Sequence, residues 1–521
     1  MAGLTDAATT CDIVVSALRR FPDRVAFRMD GEDLTYRQTE DILLRWVAVL
    51  HQRGFRPGEG VGLLSLNRPE AWFAQSALAL AGGRYTALHP LGSFDDHLHA
   101  CNEAELRFLF VDPPFAERAA QLLERAETVE ALFTLGPAEV GEDINQLATS
   151  VAVSGRLDRG PHGPDDMAYL LYTGGTTGVP KAAMLSERAF ATLAHGTALG
   201  WDLPGEMRYL AVAPISHAAG MLILPTLMSG GTVILQRRFE PAAWLRGVAA
   251  ERATLSLLVP TMIYALLDHP ELGRSDLSSL ETLMYGASPI SPTRLAEGIE
   301  LLGPVFCQLY GQTESSGQGT SLWRHQHDPS DLHRLTSCGT PMPFNRVSIL
   351  DPENNPLPDG EPGEIGVQGP SVMDGYWKQP ELTKETLAGG WLHTGDIGVR
   401  DADGFFYIVD RKKDMIVSGG FNVFPREIED VLGQHPAVSA CAVIGVPDKK
   451  WGEAVRALVV LRPGAKAEPE ELIALVRERK GHVYAPKAVE FIDALPLTPV
   501  GKADKKVLRA RYWEGQGRQV N

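Results

Sequence analysis

Between Leu170 and Leu185 the chain reads LLYTGGTTGVPKAAML, with glycines, threonines and one lysine set between two apolar runs. Thr173, Thr176 and Thr177 offer hydroxyl donors, and Gly174, Gly175 and Gly178 let backbone N–H groups converge into an anion-binding nest. Lys181, held by Pro180, adds a positive charge. The spacing is not that of a P-loop, which puts its lysine directly after the second glycine and a hydroxyl after the lysine. Here Val179 and Pro180 separate Gly178 from Lys181, and Ala182 follows. The composition fits a phosphate loop of another kind, and it also fits a glycine-rich surface turn.

Five further segments carry residues of chemical interest: YGASPIS (285–291), QLYGQTES (308–315), WLHTGDIG (391–398), DRKKDMIVSGGFNVFPREIE (410–429) and PLTPVGK (496–502). Alone, Glu314 reads as an exposed glutamate opening a helix, and Asp396 as a turn aspartate before a strand. Lys502 alone reads as a solvated tail lysine. In this order and together, the six segments resemble the adenylate-forming (ANL) superfamily. That superfamily comprises acyl-CoA synthetases, adenylation domains of peptide synthetases and beetle luciferases. Its usual loop is Y-T-S-G-T-T-G-x-P-K-G.

The resemblance implies an acid–thiol ligase of the acyl-CoA synthetase branch. Such an enzyme joins a carboxylate to ATP, releases pyrophosphate, and passes the acyl group to CoA. Thr173, Gly174, Gly175, Thr176, Thr177 and Lys181 then cradle phosphate, and Thr313 meets the α-phosphate. Tyr310 stacks on adenine against Gly286 and Ala287, with Gln308 and Gly311 beside the nucleotide. Asp396 and Arg411 hold the ribose. Glu314 is the expected Mg²⁺ ligand, a hard carboxylate suited to that ion. Lys502 is the expected mobile catalytic lysine, and His217 in APISHAAG resembles a gate beside the acyl pocket, with a satisfied core histidine as the alternative. Lys413 matches the hinge about which a small C-terminal domain rotates. That rotation exchanges Lys502 for Ser418, Gly419 and Gly420 beside the pantetheine of CoA, since lysine and thiol need overlapping space.

The acyl pocket is expected along 217–221, 284–287, 309–312 and 315–320, which are small or apolar and lack an aspartate to hold an amino group. A bulky apolar acid (fatty, aryl or polycyclic) is expected, and an amino acid is disfavoured. Transfer to a carrier-protein thiol and luciferase-like oxidation stay open as alternatives. Two positions depart from the family loop: Gly175 for serine and Ala182 for glycine. If residue 182 needs a left-handed backbone, alanine costs roughly 1–2 kcal/mol. That suggests a second alternative, an enzyme that adenylates poorly and mainly thioesterifies a supplied acyl-adenylate.

The elements that must position these residues alternate between strand and helix. Apolar runs at 24–29, 60–66, 106–111, 207–214, 232–235, 253–260 and 280–288 interleave with helical patterns at Tyr36–Arg53, Glu70–Leu80, Trp244–Arg252 and Thr261–Leu267. This predicts an α/β protein with parallel sheets covered by helices, a β-rich subdomain over 340–407, and a small α+β domain after a boundary near Lys413. The resemblance implies two helix-covered mixed sheets in the large N-terminal part (1–412) and mobility of the small α+β C-terminal domain (413–521). In that domain the pattern predicts a helix from Pro425 to about Gln434, strands near 438–446 and 454–461, and a helix from Pro469 to about Lys480.

A formal net charge of −16 argues against nucleic acid as a partner. The expected partners are the acid, ATP and CoA, with Mg²⁺ as cofactor and a homodimer left open. Five scattered cysteines without a CxxC pair, no signal-peptide pattern and no membrane-length apolar run suggest a cytoplasmic protein. His325, His327 and His333 read as surface residues, not a metal site.

Overall fold

Helix starts follow local chemistry. Thr35 caps the helix Tyr36–Gln52, its side chain accepting from the Gln38 N–H while the Gln38 side chain accepts from the Thr35 N–H at 2.8 Å. Pro69 opens the helix Pro69–Ala81, and Gly82, with φ of +82°, ends it. In this computed structural model the structure describes residues 8–173, 181–411, 414–418, 421–448, 451–498 and 501–513.

Among them, three sheets form. The strands Arg208–Ala211, Thr232–Leu235, Leu255–Leu258, Thr282–Gly286 and Phe306–Tyr310 are mutually parallel and lie within a sheet of thirteen strands. A sheet of eight strands holds Gly60–Leu64, Arg84–Leu88 and Leu106–Val111 in parallel, and its antiparallel pair Met167–Thr173 and Lys181–Ser186 flanks the glycine-rich loop. The β-rich segment is not a sheet of its own. Through Thr320–Leu322 and Ser337–Pro341 its strands continue the thirteen-stranded sheet by antiparallel pairing. Helices pack between the two large sheets over one apolar core, where Trp46 stacks on Phe110 with ring centres 5.7 Å apart.

The third sheet, of five strands, belongs to the C-terminal part, with the helices Pro425–Leu432 and Pro469–Lys480 beside it. Ile416, Ile428, Val443, Val455 and Leu472 give it a separate core. It touches the larger part through polar contacts: the Arg462 guanidinium lies 3.2 Å from Glu297, and Thr261 Oγ1 donates to the Gly501 carbonyl at 3.2 Å. Lys413, the expected hinge, lies outside the described residues.

Among the described residues no helix is long and apolar enough to cross a membrane, and all five cysteines are unpaired. Of the three histidines expected at the surface, His325 and His333 are exposed, but His327 is buried. Its Nε2 lies 3.0 Å from the Tyr285 hydroxyl and its Nδ1 2.8 Å from the Trp323 carbonyl, and burial lowers its pKa to about 4. The 3₁₀ turn Arg324–Gln326 swings it inward, which a polar loop sequence gives no reason to expect. No cluster of three metal-binding side chains forms among the described residues.

Candidate active site

The parallel strands of the thirteen-stranded sheet end at a cleft, the usual place for a ligand in an open α/β sheet. Tyr310, the last residue of Phe306–Tyr310, donates its hydroxyl to Asp396 Oδ2 at 2.8 Å. Gln312 Nε2 reaches the same oxygen at 3.0 Å and the Thr394 carbonyl at 2.7 Å. Asp396 is 3% exposed, and the strand pairing sets Arg411 opposite it. Burial, then the Asp396 charge, push the Tyr310 phenol well above its ordinary pKa, so it stays a donor. Glycine is obligatory at two neighbouring positions: a Cβ on Gly286 would stand 2.2 Å from the Leu309 carbonyl, and one on Gly311 would stand 2.4 Å from Gly317 backbone.

Opposite lies an acidic corner built from three distant segments. Thr173 ends one strand, and Lys181 opens the next. Glu314 sits in the short turn Thr313–Ser315, and Tyr376 in the strand Gly375–Tyr376, which pairs with the strand that Lys181 opens. Thr173 Oγ1 and the Tyr376 hydroxyl both donate to Glu314 Oε1, at 3.3 and 2.8 Å. Lys181 Nζ lies 5.2 Å from the centre of the Tyr376 ring. A nearly buried carboxylate beside a lysine and hydroxyls suits a hard divalent ion that completes its shell with phosphate oxygens and water. Gly174, Gly175, Thr176 and Thr177 lie outside the described residues.

Ala182 does not need a left-handed backbone. It sits in the strand Lys181–Ser186, opposite Tyr172, with no exposure and without a positive φ. Among the described residues the alanine with a positive φ is Ala287, at +62°. Ala182→Gly therefore removes a packed methyl group and loosens a strand interior, which costs about 1–2 kcal/mol. Denaturant titration should show that loss, and pyrophosphate exchange should not rise.

His217 and His89 meet edge to face, ring centres 4.5 Å apart, with Ser216 Oγ 2.9 Å from His217 Nδ1. Burial lowers His217 to about 3 and His89 to about 4, so both rings are neutral near pH 7. Neither His89 nor Tyr376 stands out in the sequence, because strand pairing and a loop, not spacing, bring them here.

One cavity of about 2670 Å³ joins these features, its wall including Thr173, Lys181, His217, Glu314, Asp396 and Lys502. Ala287, Gln308, Tyr310, Gly311 and Thr313 also line it, while Gly286 is buried in its strand. Lys502 arrives from the C-terminal part on a turn closed by the Thr498 N–H donating to its carbonyl at 2.7 Å. Ser418 is buried in the strand Ile416–Ser418 and is not on this wall. Gly419 and Gly420 lie outside the described residues.

The AMP-binding enzyme family matches residues 14–377, and the AMP-binding enzyme C-terminal domain matches residues 427–502. The chain is 45% identical to the medium/long-chain-fatty-acid–CoA ligase FadD8 of Mycobacterium tuberculosis, over 98% of this chain and 91% of that protein. It is 39% identical to a feruloyl-CoA synthase of an Amycolatopsis species, over 96% and 98%. The solved structure of the amide bond synthetase McbA from Marinactinospora thermotolerans superposes with a TM-score of 0.87 at 36% identity, covering 96% of this chain and all of that one. The chain thus belongs to the AMP-binding enzymes, in the acyl-CoA synthetase branch of the adenylate-forming superfamily.

Proposed function

We propose that this enzyme is an ATP-dependent acid–CoA ligase that activates a bulky apolar carboxylic acid as its acyl-adenylate and then transfers the acyl group to CoA. The observation that carries the reading is Lys502: a residue of the C-terminal part stands on the same cavity wall as Glu314, Thr313 and Asp396. A cation delivered there neutralises the acid carboxylate as it attacks the α-phosphorus, with pyrophosphate leaving. Asp396, with Arg411 opposite, holds the ribose, Tyr310 packs on adenine beside Ala287, and Thr173 and Lys181 take phosphate oxygens. Mg²⁺, held by Glu314, would neutralise charge on the phosphates.

The second half-reaction needs a thiol where Lys502 stands. We infer that residues 413–521 turn about Lys413 to bring Ser418, Gly419 and Gly420 to the cavity. The separate core and polar contacts of the C-terminal part support this. The apolar helices around His217 support an apolar acid, and the names of the fatty-acid and feruloyl relatives agree with it. A poorly adenylating enzyme loses its motive, since Ala182 occupies ordinary strand backbone.

The test incubates the protein with ATP, Mg²⁺, CoA and a panel of fatty, aryl and polycyclic acids, following acyl-AMP and acyl-CoA separately by mass spectrometry. Both species should form with at least one acid. If no acyl-AMP appears across the panel, the reading fails. Acyl-AMP that yields no thioester would move the acceptor to a carrier thiol, or to an amine as the name of the McbA relative suggests.

A further inference from the structure

The cavity runs past the histidine pair into a lobe floored by two neighbouring parallel strands, Arg84–Leu88 and Met167–Thr173. Tyr85 pairs with Tyr169. Side chains alternate across a strand, so two residues on the same face carries Ala87 beside Leu171. One further step reaches His89 and Thr173, which meet His217 and Glu314 at the near end. All three rows line the cavity. From the His89 row to the tyrosine row is roughly 13 Å along the strands, the length of an extended chain of about ten carbons.

The middle row is the one that leaves room. Ala87 and Leu171 pack against the core between the two large sheets, yet both are only half-buried. The space over Ala87, with Leu171 about 5 Å away on the next strand, has the width of one hydrocarbon chain. Half-buried Phe190 bounds the far end, its ring flat on that of Tyr169 with centres 3.4 Å apart. The polar side chains there, Thr10 and Gln75, are engaged by the Tyr169 hydroxyl. We propose that Ala87 is a specificity-determining residue: its small side chain keeps the lobe open to the tail of an unbranched acid of about ten carbons, and Phe190 marks where that tail stops.

The inference rests on the acid–CoA ligase reading and narrows its substrate from bulky apolar acids in general to straight-chain aliphatic ones. The probes are the even-numbered straight-chain acids from butanoate to hexadecanoate, with benzoate and cinnamate beside them. The readout is kcat/KM for acid-dependent AMP formation by wild type, Ala87→Leu and Phe190→Ala. Each profile is compared by its shape within one protein, so any loss of folded enzyme cancels.

In the wild type the ratio of decanoate to hexanoate should be about a hundredfold, the scale of burying four more methylene groups, with no further gain on longer acids. Ala87→Leu should bring that ratio to near one, because the larger side chain fills the middle row. Phe190→Ala should carry the rise on past decanoate. A wild-type profile flat with chain length, or a steep one that survives Ala87→Leu, would overturn the inference. So would a Phe190→Ala profile that stops at the same length. Turnover of the aryl acids alone also overturns it and leaves the ligase reading standing. No acid-dependent AMP from any probe sinks that reading, and this inference with it.

Discussion

Lys502→Ala is expected to slow acyl-adenylate formation about a thousandfold, the scale of losing one preorganised charge contact in a shielded site. Thioester formation from synthetic acyl-adenylate and CoA should change by less than about threefold, because that step does not need the contact. The residues flanking Lys502 are tied together by backbone pairing. The Lys502 N–H donates to Thr498 Oγ1 at 3.1 Å, and Leu497 pairs with Ala503. This segment is also docked: Thr261 Oγ1 donates to the Gly501 carbonyl, and Gly501 adopts a φ of +78° where an added Cβ would stand 3.2 Å from Val259 Cγ2. Removing the side chain should leave this backbone seat intact and delete only the ammonium. Pyrophosphate release with ATP and acid measures the first step, and AMP release from supplied adenylate measures the second. If both steps fell equally, or neither fell, a mobile lysine serving one half-reaction would be wrong.

The contrast between the two steps matters because the proposed function places two chemistries in one cavity. In this arrangement Lys502 is on the wall and Ser418 is not. A rigid protein would hold either the cation or the thiol channel in place and would be slow at the other reaction. Among the contacts between the parts are polar ones on half-buried side chains, such as Arg462 with Glu297, which water can replace at small cost.

Residues at short spacing are legible in the amino-acid sequence alone. Glu314 and Tyr310 lie in one segment, and the apolar run at 280–288 locates the strand Thr282–Gly286 to within two residues at each end, whereas the strand Phe306–Tyr310 corresponds to no run singled out in the sequence. The small C-terminal domain is legible too, since Pro425 and Pro469 both open helices there. What stays hidden depends on long-range pairing. Tyr376 reaches Glu314 only because its strand pairs with the one after the glycine-rich loop. Joining the β-rich segment to the first sheet likewise depends on Ser337 pairing with Tyr407, seventy residues further along the chain. Ala182 misleads for a related reason: its backbone conformation follows from its pairing with Tyr172, which a one-dimensional comparison with glycine does not contain.

Glu314→Gln is expected to lower kcat/KM for adenylation by about 10²–10³-fold and to raise the Mg²⁺ concentration giving half-maximal rate. Glutamine keeps the shape of the side chain and a carbonyl that can still accept from the Tyr376 hydroxyl and from Thr173. It removes the negative charge. Folding should therefore change little, because a nearly buried charge is exchanged for a neutral group with most of its partners retained. The Glu314 carbonyl also accepts from the Met373 N–H at 2.8 Å, a backbone contact that the substitution leaves in place. Tyr376→Phe separates positioning from charge. It deletes one donor to the carboxylate but keeps the ring beside Lys181, and it should cost only about three- to tenfold. Pyrophosphate release titrated with Mg²⁺ reads both variants, with thermal melting alongside. A Glu314→Gln enzyme whose Mg²⁺ dependence matched the wild type would place the metal elsewhere and leave this carboxylate as a support for Tyr376 and Thr173.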